Sequence, residues 1–184
     1  LDPEADMLAN VSVLREPVPT ARFMGGREFS VLAGNAPVDA DEDDVARVIA
    51  SGVLALPAFS DQGGPFAAKK GVLQGEEPTT LQARAALATL YCALMTAHML
   101  RRLDAPGDLI VEGGFARSPA FAAVLARLMS GRRVLIAPTS AGASAGAAML
   151  AHWGEPRPRL RLESASVWRM PGLEAYHERW ERAL

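Results

Sequence analysis

Apolar positions along the chain change period several times, and each change marks an element. Residues 11–33 read as strand material, "VSVL" and then "ARFMGGREFSVLAG". Within it Gly25-Gly26 fits a two-residue hairpin turn or a bulge in a longer strand. Residues 39–52, "DADEDDVARVIASG", switch to helical spacing. Val45, Val48 and Ile49 share a face, the first turn is acidic as the helix dipole favours, and Gly52 stops the helix. Residues 57–78 are dense in glycine and proline and read as a loop between ordered regions. The longest helix covers residues 80–103, capped by Thr79 or Thr80. Leu87, Leu90, Tyr91, Leu94 and Met95 keep its spacing, and apolar residues continue most of the way round, so it should be largely buried.

After Pro106-Gly107 the pattern becomes two tandem strand–loop–helix units. The first is "DLIVE", "GGFAR", "SPAFAAVLARLMSG"; the second is "RRVLIAP", "TSAG", "ASAGAAMLAHWG". Such alternation predicts an α/β domain with parallel strands. Residues 155–161, "EPRPRLR", read as an extended basic linker. "GLEAYHERWERAL" closes the chain as an amphipathic helix with Leu173, His177, Trp180 and Leu184 on one stripe.

Composition narrows the function classes. The chain has 184 residues, enough for one domain with a real core. Its net charge of −2 lacks the basic footprint of a nucleic-acid binder. The longest apolar run, residues 85–97, is too short to span a bilayer, so neither nucleic acid nor membrane is expected as a partner. Cys92 is the only cysteine, which fits a reducing cytoplasm, and it falls within a helical apolar pattern that predicts core packing. His98, His152 and His177 are too scattered for a metal site. The acid run of residues 39–44 lacks the spacing of a calcium loop and reads as a solvated helix start. The first residue is Leu1 rather than Met, and the expectation is a piece of something longer.

The chemistry concentrates in "LIVEGGFARSPAF", residues 109–121. No Lys-Ser/Thr follows at P-loop distance, and adjacent Gly113-Gly114 lack the third glycine of a dinucleotide fingerprint. Two missing Cβ atoms let a flat ring lie on the backbone. Ser118 is a good N-cap and Pro119 a good first helical residue, so free N–H groups should point at whatever covers the glycines. A tight turn with no ligand explains the same residues, and the chemistry alone leaves the two readings level. In "SAGASAGAAML", Gly142 and Gly146 bare one helix face; close packing on a neighbour is favoured there over a phosphate site.

Together, "VEGGFARSPAF" and "VLIAPTSAGASAGAAMLA" resemble the adenosine motif and the second connecting motif of the FGGY carbohydrate kinases, members of the actin and hexokinase superfamily. "PVPTARFMGGREF" is similar to a segment of the rhamnulokinase- and fuculokinase-like branch. "PAFSDQGGPFAAKKGVL" resembles the family's loop before the long helix, with Gly64-Pro65-Phe66 and Gly71 in matching places, and Trp180 suits its closing helix.

The resemblance implies a ribonuclease H-like α/β fold, a mixed sheet with flanking helices, and residues 1–184 as the C-terminal nucleotide-binding domain of a two-domain sugar kinase. Gly113 and Gly114 would lie against the adenosine of ATP. Phe115, Arg117, Ser118 and Phe121 would shape the adenine and ribose pocket. Gly142 and Ala143 complete the cofactor-binding set and, with Gly146, would sit where the two domains close. The catalytic aspartate, the phosphate loops, most of the Mg²⁺ contacts and the sugar pocket would belong to a part absent from this chain. No catalytic or metal-binding residue is therefore assigned here. Asp61 reads as a turn residue rather than a base. Glu112 reads as a strand-end cap or a partner of a ribose hydroxyl. A non-catalytic actin-like nucleotide-binding module and a purely structural module remain as alternatives. The oligomeric state stays open, a homodimer among the options.

Overall fold

The computed structural model describes residues 1–34, 39–138, 142–156 and 161–184. Its strands form three small sheets. β1 (Met7–Val11) and β2 (Pro17–Ala21) make an antiparallel hairpin, and β3 (Leu54–Leu56) pairs antiparallel with β4 (Val72–Gln74). The third sheet has the order β5 (Leu109–Val111), β6 (Val134–Ile136), β7 (Glu163–Ser164), with β5 and β6 parallel and β7 antiparallel to β6.

Six described helices surround them: α1 (Gly25–Ala33), α2 (Glu42–Ser51), α3 (Leu81–Leu103), α4 (Pro119–Leu128), α5 (Gly142–Ala151) and α6 (Leu173–Ala183). α3 is the axis of the core. Ala86, Leu90, Cys92, Leu94 and Ala97 are all fully buried, and α1, α2 and α4 pack on it from different sides. By length and composition α3 is the one described helix that passes for a membrane span; nearly three-quarters of its apolar window (72%) lies inside the fold, so here it is a core helix. Burial and the nearby Glu28 carboxyl push the Cys92 thiol well up, away from the reactive thiolate, as the core-packing expectation requires.

Several elements follow from local signals. Asp41 and Asp44 form a reciprocal capping box at the start of α2, and Gly52 closes that helix in the left-handed conformation. The Asp41 carboxyl accepts the Asp44 N–H at 2.8 Å, so part of the acid run is bound up in the cap. Thr80 caps α3 through its side chain. α6 docks by Trp180, whose indole N–H donates to Ala55 O at 2.8 Å, and by Tyr176, whose hydroxyl donates to Val53 O at 2.7 Å.

Three expectations are corrected. Residues 25–33 are helix, not strand: α1 starts with no side-chain cap, so the usual start signal is missing, and tertiary packing on α3 decides its conformation. Residues 57–78 are not loop throughout, since Val72–Gln74 is a strand fixed by its pairing with β3. Of the basic stretch at residues 155–161, four residues lie outside the described set; β7, which follows it, was not expected.

Candidate functional site

β5 and β6 run parallel, so the loops that follow them leave from the same edge of the sheet. That carboxyl-end edge is where open α/β sheets place ligands. The first loop is Glu112, then a 3-10 turn over Gly113–Arg117, then Ser118 and α4. Gly113 has φ 77°, a left-handed value that a side chain disfavours. Gly114 has no such constraint. Apart from the adjoining residues in the chain, no atom of the described protein lies within 4 Å of where a Cβ would stand on either residue. The fold therefore explains Gly113 by backbone geometry and leaves Gly114 without an internal reason. A planar ring laid on this turn meets no Cβ from either glycine.

The residues around the turn divide into two sets. Phe115 and Phe121 face inward. Their rings stack at 4.2 Å between centroids, and Phe115 also meets the edge of Phe29 at 6.2 Å. Phe121 is 3% exposed and belongs to the core, so it reaches the turn only through Phe115. Arg117 and Gly114 face outward, and Arg117 makes no ion pair among the described residues. Ser118 does cap α4, accepting the Phe121 N–H at 3.3 Å, and its hydroxyl also donates to Asp39 at 3.1 Å.

This capping changes one expectation. The first turn of α4 was expected to present free N–H groups. Pro119 has none, Phe121 N–H goes to the Ser118 hydroxyl, and Ala122 N–H goes to Ser118 O at 3.3 Å. Little is left to cradle a phosphate. The turn offers a flat backbone face rather than an anion site.

The second loop meets the first through Glu112. Its carboxylate accepts the Gly142 N–H at 2.6 Å, at the start of α5. A Cβ on Gly142 would overlap that carboxylate, so a larger residue there must displace the Glu112 side chain from this bond. Glu112 thus bridges two βα loops, a helix-capping role in place of acid–base work. Ala143 and Gly146 are exposed on α5, and nothing lies within 4 Å of a Cβ built on Gly146. Thr139, Ser140 and Ala141, the rest of that loop's small residues, lie outside the described residues. Asp61 is exposed in the loop between β3 and β4. Among the described residues no group of three or more His, Cys, Asp or Glu side chains is placed to hold a metal ion.

Comparison with known proteins gives the family and the fold. The fold is the mixed α/β fold of the actin- and hexokinase-type ATPases. The profile of the carbohydrate kinase FGGY C-terminal domain matches residues 1–158, so the chain belongs to the FGGY carbohydrate kinase family. A carbohydrate kinase from Novosphingobium aromaticivorans is 30% identical, with a TM-score of 0.83 over 100% of this chain and 41% of its own. Two others share the fold at lower identity. The xylulose kinase from Rhodospirillum rubrum is 18% identical, with a TM-score of 0.64 over 97% of this chain and 41% of its own. The glycerol kinase of Plasmodium falciparum, solved with ADP, is 14% identical, with a TM-score of 0.59 over 97% of this chain and 41% of its own. No curated protein matches the sequence. The chain thus spans about two-fifths of the length of the kinases it resembles.

Proposed function

We propose that this chain is the nucleotide-binding half of an ATP-dependent sugar kinase. The observation that carries the reading is Gly114: exposed, unconstrained by φ, with open space where its side chain would be. A residue of that kind serves something that approaches from outside, and in this family the adenosine of ATP is the chemistry that suits a flat, backbone-lined face. Gly113 and Gly114 would carry the base and ribose. Arg117 stands at the rim with an uncommitted charge, Ser118 and Pro119 fix where α4 begins, and Phe115 with Phe121 supports the turn from within. Gly142 and Ala143 open the second loop beside it.

When bound, ATP supplies the γ-phosphoryl group that a sugar hydroxyl accepts. Catalysis of that kind consists mainly of positioning and of stabilising charge on the transferred group. The residues of this chain hold the far end of the nucleotide. The triphosphate, Mg²⁺ and the sugar would be held mainly by the remaining three-fifths of the enzyme, which is soluble and cytoplasmic in this reading. The placement in the rhamnulokinase- and fuculokinase-like branch rests on "PVPTARFMGGREF" alone.

Two measurements test the proposal. In the longer kinase that contains this chain, Gly114→Val should weaken ADP binding by about tenfold or more, because a branched side chain fills the face the ring needs. An unchanged affinity would remove the nucleotide reading and favour a purely structural turn. The 184-residue chain alone, given ATP, Mg²⁺ and a panel of ketoses and polyols, should release no ADP in response to any sugar. Sugar-dependent release would show that the catalytic groups are in this chain after all.

A further inference from the structure

Among the described residues Glu28 is the one buried carboxyl that no capping or ion-pair role explains. It lies on α1, is 1% exposed, and has no cation beside it among the described residues. Its Oε2 accepts two hydrogen bonds: from the Phe59 N–H at 2.8 Å and from the Tyr91 hydroxyl. Burying a carboxyl is costly unless it is bonded this way, and an aliphatic side chain would satisfy α1's packing on α3 without that cost. Burial and the adjacent Glu28 push the Tyr91 hydroxyl well above its ordinary range, so it remains a donor at every working pH.

The three partners come from α1, α3 and the loop after β3, so the carboxyl fixes the rotation of α1 about its own axis. One turn earlier on the same helix, Gly25 meets the nucleotide turn. A Cβ built on Gly25 would stand 3.1 Å from the Phe115 ring and 2.8 Å from the Phe23 ring. Gly25 O also accepts the Cys92 S–H at 3.6 Å, a second tie to α3. The residue after Glu28, Phe29, meets the edge of Phe115. Phe115 is thus held between two residues of α1 on one side and Phe121 on the other. It is also the residue that follows Gly114. α1 thus links Glu28, through its own backbone, to Gly25 and Phe29, which face the Phe115 ring.

We infer that Glu28 is a positioning residue for the nucleotide site: its two hydrogen bonds set α1 so that Phe115 holds the Gly113-Gly114 turn in its ring-accepting shape. This rests on the nucleotide reading above. The same oxygen takes both bonds, so a glutamine keeps them through its single carbonyl oxygen, and a leucine of similar size loses both.

The test is calorimetric titration of ADP into the longer kinase that contains this chain, for the wild type, Glu28→Gln, Glu28→Leu, Tyr91→Phe and Gly114→Val. Affinity reports the placement of the turn, whereas loss of folded protein lowers only the stoichiometry. Glu28→Leu should weaken ADP by about tenfold and Tyr91→Phe by about threefold, with Glu28→Gln within about twofold of wild type. If Glu28→Leu lowers the stoichiometry and leaves the affinity unchanged, or if Glu28→Gln is as weak as Glu28→Leu, the positioning role is wrong. Should Glu28→Leu fail to fold, Tyr91→Phe decides, because it removes one donor and no bulk; an unchanged affinity there overturns the inference. If Gly114→Val leaves ADP binding intact, both readings fall. If it weakens ADP while the Glu28 and Tyr91 variants do not, only this one does.

Discussion

α4 and α5 each follow a strand of the parallel pair and a small-residue loop, and both are rich in alanine. In α4, Ala120, Ala122, Ala123 and Val124 are fully buried against α3 and the sheet. In α5 not one residue is buried, and Leu150 is half exposed. Trp153, just beyond the end of α5, is half exposed as well. Ser144 is α5's one polar side chain, so no wet face accounts for its exposure. Composition asks the same of both helices: a close neighbour that tolerates no side-chain bulk. Among the described residues only α4 finds that neighbour. We propose that in the longer kinase α5 packs against a part outside this chain.

The largest effect expected from this contrast is on the buried side. Ala123 is fully buried where α4 crosses the core. Ala123→Leu adds three carbons to a packed interior and should cost about 1–3 kcal/mol through forced rotamers and backbone shifts. Urea denaturation of the 184-residue chain measures it. A loss within the noise would mean that α4 is as loosely seated as α5 and that the contrast is not real.

What could be read in advance was what local hydrogen bonding encodes. α2 was legible because Asp41, Asp44 and Gly52 cap it with groups a few residues away. α4 was legible from Ser118-Pro119 for the same reason. α1 was not, because no side chain caps it and Gly25 sits against the rings of Phe23 and of Phe115, the latter ninety residues later in the chain. β3, β4 and β7 were missed because two or three residues carry no period; their partners define them. At the site, the turn and its cap were visible as residue types in order. That Phe115 and Phe121 stack on each other, that Glu112 crosses to Gly142, and that Glu28 is buried at all are products of packing, and no local spacing announces them. Tyr176 belongs with them, since its hydroxyl reaches a carbonyl of β3's approach that only the folded chain brings near.

The next effect concerns the tether that holds α5 to the rest. Glu112 binds the Gly142 N–H, and a methyl group on Gly142 overlaps that carboxylate. Gly142→Ala should therefore expel Glu112 and cost about 1 kcal/mol, the size of a lost helix cap. Global stability is the wrong place to look for it, since α5 contributes little burial. Hydrogen exchange across α5 is the sensitive measure, and protection there should fall while that of α3 and α4 stays. Adding Glu112→Ala to Gly142→Ala removes the overlap but not the lost cap, so the pair should be no worse than Gly142→Ala alone. If the double variant loses much more protection, Glu112 holds α5 by some contact other than this one.

The smallest effect is the most discriminating. Ala147 is exposed near the middle of α5, as alanine-like in its surroundings as Ala123 is in sequence. In the 184-residue chain, Ala147→Leu has nothing to clash with and leucine is nearly as good a helix former as alanine, so stability should change by no more than about 0.5 kcal/mol. The same substitution in the longer kinase should behave differently. There the added bulk would meet whatever α5 packs on, and the cost should rise toward the 1–3 kcal/mol expected of Ala123→Leu. A substitution neutral in the chain and costly in the whole enzyme is the signature of an interface between its parts. A substitution neutral in both would mean that the bare face of α5 stays bare, and the partner inferred for it does not exist.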